Sequence, residues 1–117
     1  MNKQERKFEK ELIKNLTTCC ESIKNEVDGF EWLTHTMKFS DINQTIKVIC
    51  IFDRQIHLEQ AESNGGLTLM SKAILKNLND LNIKPLKAHK QILFDNEENC
   101  NLSHDGNWQQ RLNQKYN

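Results

Sequence analysis

Thr45-Ile46-Lys47-Val48-Ile49-Cys50-Ile51-Phe52-Asp53 is apolar on both faces of an extended chain. Alternate side chains of a strand point to opposite faces. Ile46, Val48, Cys50 and Phe52 therefore share one face, and Ile49 and Ile51 share the other. Such a strand is covered on both sides, by helices, by a C-terminal segment or by a partner chain.

The residues just before it read as its hairpin partner. In Phe30 to Phe39, Leu33, His35, Met37 and Phe39 alternate onto one face and Trp32, Thr34, Thr36 and Lys38 onto the other. Ser40-Asp41-Ile42-Asn43-Gln44 is a connection of turn-forming residues. Upstream, residues 3–27 form one long amphipathic helix. Phe8, Leu12, Leu16, Cys19, Ile23 and Val27 recur every three or four positions, with Ile13 and Cys20 widening the stripe. Lys3, Arg6, Lys7, Glu9, Lys10 and Lys14 fill its outer face, and Asp28-Gly29 stops it.

Downstream, residues 54–66 are a polar connection. They hold a short helical piece from His57 to Glu62 and the turn Ser63-Asn64-Gly65-Gly66. Leu67, Met70, Ile74, Leu78 and Leu81 mark a second amphipathic helix over 67–81. Pro85 blocks its continuation. Residues 86–94 read as a third strand, with Leu86, Ala88, Lys90, Ile92 and Phe94 alternating against Lys87, His89, Gln91 and Leu93. The polar tail reads as a short helix capped by Asp95 or Asn96, a turn at Asp105-Gly106-Asn107, and a helical turn over 108–112.

The order α-β-β-α-β plus a tail defines an α+β fold. The expectation is a two-layer sandwich, a small mixed sheet with two amphipathic helices on one face. Residues 1–117 make one domain. It divides into the N-terminal helix (1–29), the hairpin, helix and third strand (30–94), and the acidic then Trp-containing tail (95–117).

The chain carries 16 Lys+Arg against 16 Asp+Glu. That balance argues against a protein whose main task is neutralising nucleic-acid phosphates. The distribution is uneven, however. From residue 70 to 93 five lysines (Lys72, Lys76, Lys84, Lys87, Lys90) face Asp80 alone, a net of +4. From 94 to 108 there are four acids (Asp95, Glu97, Glu98, Asp105) and no base, a net of −4. A basic face of this kind can touch phosphates, or it can complement the chain's own acidic tail. The N-terminus has no apolar leader and no apolar run is long enough to span a bilayer. The four cysteines read as reduced thiols of a cytoplasmic protein.

Candidate chemistry is sparse. Cys100 and His104 form a C-x3-H pair, which is half of a tetrahedral metal set. With Asp105 they also supply the residue types of a cysteine nucleophile, but all three lie on one local segment. Packing is the plainer role for them. Gly65-Gly66 precedes a helix without any phosphate-binding motif. No catalytic residue, cofactor or metal is called for.

Two function classes remain. The first is a non-enzymatic protein that acts through protein contacts or self-association, with Trp32, Ile49, Ile51 and Trp108 as the interface. The second is a small nucleic-acid-binding module using Lys72, Lys76, Lys84, Lys87 and Lys90. Its element order resembles small KH-like modules, which clamp nucleic acid with a G-x-x-G loop between helices; Gly65-Gly66 is not one. A membrane partner is not expected.

Four runs also carry a resemblance: Asp28-Gly29-Phe30-Glu31-Trp32-Leu33-Thr34-His35, Val48-Ile49-Cys50-Ile51-Phe52-Asp53, Phe94-Asp95-Asn96-Glu97-Glu98-Asn99-Cys100 and Gly106-Asn107-Trp108. With them the chain resembles a family of small, uncharacterised bacterial proteins, sometimes loosely labelled Fis-family transcriptional regulators. The resemblance implies no activity, cofactor or catalytic residue. A Fis-like DNA-binding end would be a helix-turn-helix, whereas this C-terminus reads as strand, acidic run and Trp-containing tail.

Overall fold

A computed structural model describes residues 1–116. Its elements are α1 (Lys3–Lys24), β1 (Phe30–Thr36), a 3-10 turn (Phe39–Asp41), α2 (Ile42–Thr45), β2 (Lys47–Phe52), α3 (Gln55–Ser63), α4 (Gly66–Asp80), α5 (Ala88–Gln91), β3 (Ile92–Asn96), α6 (Glu97–His104) and α7 (Trp108–Tyr116). The protein is thus α+β, as the pattern indicated.

β2 is the central strand of a mixed sheet, antiparallel to β1 and parallel to β3. Its two-sided apolar pattern follows from that position. Val48, Cys50 and Phe52 face the helices α1, α3 and α4, where Leu12, Leu16, Ile23, Met70, Ile74 and Leu78 bury their side chains. Ile49 and Ile51 face the other way and are fully buried too. Burial of each such side chain stabilises the fold by about 1.5–3 kcal/mol.

The second face is covered by the chain itself. Trp108, Leu112 and Tyr116 of α7 pack on Ile49 and Ile51, with Trp32 and Leu93 beside them. The expected two layers are therefore three, the third being one short C-terminal helix. A partner chain is not needed to dry this face.

Local chemistry explains the element ends. Asn2 and Glu5 form a reciprocal capping box that starts α1. α1 ends at Lys24, three residues before its expected end, and Gly29 (φ +84) then turns the chain into β1. A bulge at Glu31 shifts the register between Phe30 and Trp32. The extra residue puts Phe30 on the same face as Leu33, against Phe52.

The third strand departs most from its expected course. Residues 88–91 are a helical turn, and the strand begins only at Ile92 and runs on to Asn96. The cause is Gln91. Its amide nitrogen donates to the carbonyls of Asn43 (2.9 Å) and Ile46 (2.9 Å), and its amide oxygen accepts from the Lys87 N–H (2.7 Å). A buried glutamine satisfied in this way ties the turn to the segment entering β2.

Candidate functional site

The strand shift carries Asp95 to the end of β3, opposite Ile51 and on the α7 side of the sheet. The carboxylate is 2% exposed. Arg111 of α7 meets it with two nearly parallel bonds, Nε to Oδ2 at 2.7 Å and Nη2 to Oδ1 at 2.8 Å. The Tyr116 hydroxyl donates to Oδ2 (2.7 Å) and the Asn96 amide to Oδ1 (2.8 Å). Burial alone would raise the Asp95 carboxyl. The bonds from Arg111, Tyr116 and Asn96, with the charge of Lys115, outweigh it and hold the group below its ordinary value. The Asp95 bond in turn raises Arg111. Burial, followed by that same carboxylate, pushes the Tyr116 phenol up.

Glu97 does for the two tryptophans what Asp95 does for Arg111. Its Oε1 accepts from Trp32 Nε1 (2.7 Å) and its Oε2 from Trp108 Nε1 (3.1 Å). The indoles meet edge to face, with centroids 5.3 Å apart. The Arg111 guanidinium lies 5.9 Å from the Trp108 ring centroid, close enough for a cation–π contact. Together these groups form a clasp that binds α7 to the sheet. They are saturated: among the described residues no buried side-chain polar atom lacks a hydrogen-bond partner.

The expected interface residues thus meet one another within the chain. Ile49 and Ile51 are fully buried in this clasp, and Trp32 and Trp108 pack over them half-buried. Sequence alone identified the apolar members. It missed Asp95, Arg111 and Tyr116, whose separation along the chain carries no periodic signal.

Cys100 and His104 do not form a ligand pair. Cys100 is fully buried, and burial pushes its thiol up, although Arg111 acts against the shift. His104 faces Arg111 Nη1 with Nδ1 (3.2 Å) and Gln114 Oε1 with Nε2 (3.0 Å). Since the guanidinium can only donate, Nδ1 is the acceptor and Nε2–H the donor. No group of three His, Cys, Asp or Glu side chains among the described residues is arranged to hold a metal. Cys50 lies on the opposite face of the sheet, packed with Cys19 and Cys20 in the α1 core. His35 is on that side as well, 3.6 Å from Glu9. Burial lowers its pKa, and Glu9 opposes the shift.

The lysines are exposed but only partly gathered. The strand pairing places the end of β1 and the starts of β2 and β3 at one end of the sheet. Lys84, Lys87 and, on α5, Lys90 lie there with Lys38, on segments joined by the Lys84 N–H bond to Asn43 Oδ1 (2.9 Å). An open cavity of about 600 Å³ between the strand ends and Tyr116 is lined by Lys38 and Lys47 and, among the described residues, by no acid. Lys47 itself donates to the Tyr116 carbonyl. Lys72 and Lys76 sit apart on α4, Lys76 beside a cleft shared with Glu26 in the turn after α1.

Asp41 in the β1–β2 connection and Asp80 at the end of α4 lie toward this basic end; a larger group of acids takes the other end. Asp53, Glu97 and Glu98 follow the ends of β2 and β3, and Asp28 and Glu31 flank the start of β1. Glu98 accepts from the Gln55 N–H (3.0 Å) and Asp53 bonds His57 (2.6 Å). The tail acids thus do not meet the lysines of 72–90. Among the described residues no ion pair joins any of those five lysines to an acid. The loop between α3 and α4, where a KH-like module clamps phosphates, also faces acids, with Glu26 and Asp28 lining the small cavity at Asn64 and Gly66.

No helix among the described residues is long and apolar enough to cross a membrane. Compared with family models, curated proteins and solved structures, the chain matches none.

Proposed function

We propose that the protein is a non-enzymatic, cytoplasmic binding protein that acts through contacts with an anionic macromolecule, made by its basic end. One observation carries this reading: Lys38, Lys84, Lys87 and Lys90 gather at one end of the sheet, outnumber the acids Asp41 and Asp80 near them, and make no ion pair among the described residues. Uncompensated surface charge of one sign raises the local concentration of an opposite partner and speeds its encounter. The buried polar groups supply no competing reading. Asp95 and Arg111 are consumed by each other, and the thiols are buried.

The test is binding of a labelled polyanion, either a duplex or polyglutamate, at about 50 mM salt, where such contacts are strong. The wild type should bind one or both, and a Lys84→Glu, Lys87→Glu, Lys90→Glu variant should lose most of that affinity. A wild type that binds neither, or a variant that binds equally well, would overturn the reading.

A further inference from the structure

We infer that the outward face of α1 extends this basic surface, and that the partner is the phosphate backbone of duplex nucleic acid, held without reading its bases. The inference rests on the binding role proposed for the basic end and names its partner.

At 100° per residue, Lys3, Arg6, Lys7, Lys10 and Lys14 fall within an arc of about 100° and span about 16 Å of helix axis. All five are exposed, and none has an acid within ion-pair distance among the described residues. The acids of these turns are mostly drawn away. Glu5 bonds back to the Asn2 N–H (3.1 Å) and Glu9 reaches His35, which leaves Glu11 alone beside the row. The capping box orders the helix from its first turn, so the row is a fixed array.

This array adjoins the basic end. A shallow cavity joins Phe8 of α1 to Phe39, Asp41 and Asn43 and to the Leu81–Ile83 segment, with Asp41 its one acid among the described residues, and Lys84 follows directly. The chemistry of the surface selects the partner. Protein interfaces are anchored by buried aromatic and apolar residues and are poor in lysine. Ile13 is the one half-exposed large apolar side chain along the row between Lys3 and Lys14. A phosphate backbone needs no such anchor, since release of its condensed counterions drives binding. Lysines on phosphates position a protein without specifying sequence. The aromatic rings nearest the row and the loop lysines, Phe8, Phe39 and Tyr116, are partly or fully buried, so no exposed ring among the described residues offers the stacking platform a single strand needs.

The experiment is fluorescence anisotropy with a labelled 25-base-pair duplex, a single strand of equal length and polyglutamate, each across a salt series. It compares the wild type with a Lys3→Glu, Lys7→Glu, Lys10→Glu variant and with the triple loop variant above. Circular dichroism checks that these exposed substitutions leave the fold intact. The α1 variant should lose at least about tenfold in duplex affinity, and its log–log salt slope should be shallower by about 2.7, the value for three lost phosphate contacts. An α1 variant that binds duplex like the wild type, while the loop variant does not, overturns this inference and leaves the basic-end reading standing. Polyglutamate or the single strand bound as tightly as duplex overturns the partner class. Failure to bind any probe overturns both proposals.

Discussion

Asp95 is a carboxylate placed where the apolar face of the sheet meets α7, and Arg111 is what makes that placement tolerable. A buried ion pair gains little over an apolar pair, but removing one partner strands the other. Arg111→Met should therefore cost about 3–5 kcal/mol in urea unfolding. The pH dependence has a definite sign. The folded-state pKa of Asp95 lies below its unfolded value, so between the two the unfolded chain binds more protons. The contribution of the carboxylate is complete above about pH 4 and is lost as pH falls through the folded-state value. The stability difference between wild type and Asp95→Asn should shrink as pH is lowered through that range. A difference independent of pH there would mean that the carboxylate is not ionised in its bonds to Arg111 and Tyr116.

At the scale of elements, the joints matter more than the propensities. Gly29 links α1 to β1 at φ +84, and a Cβ there would overlap the His57 side chain. Gly29→Ala should destabilise the protein by at least about 1–2 kcal/mol, the cost of a left-handed alanine, with the overlap added. A neutral result in denaturant unfolding would show that the joint can relax. The helices α1 and α4 were legible because each repeats its apolar residues every three or four positions over many turns. α5 and the late start of β3 were not. They depend on Gln91 reaching the Asn43 and Ile46 carbonyls, a contact between segments more than 40 positions apart. The bulge at Glu31 was hidden for a similar reason, since it exists only as a register between two strands.

For the whole molecule, α7 closes the second sheet face within one chain, and the large apolar side chains left exposed among the described residues are scattered. The exposed large hydrophobics (Ile13, Ile56, Leu69, Leu86 and Leu102 among them) come from different elements. Scattered apolar residues of this kind are ordinary surface. Sedimentation velocity at about physiological salt, where charged surfaces are screened beyond about 8 Å, should give a monomer. A stable dimer that persists when salt is raised would mean that an apolar interface exists outside the clasp. The net charge of zero also changes meaning at this scale. Within it lie a lysine-rich end and an acid-rich end, because the β1–β2 connection and the segment entering β3 reach the same end of the sheet.

By itself the sequence determined the α+β class, the two amphipathic helices and the face each β2 residue takes, because apolar periodicity is a local property that burial must respect. The first strand's alternation was readable for the same reason as far as Thr36, where β1 ends, and of the two cap candidates Asp95 and Asn96 it is Asn96 that caps α6. Only the tertiary structure decided what covers Ile49 and Ile51, which acids and bases meet, and which lysines stand together. Those outcomes depend on contacts between residues far apart in the chain, and long-range pairing leaves no periodic trace in a single sequence.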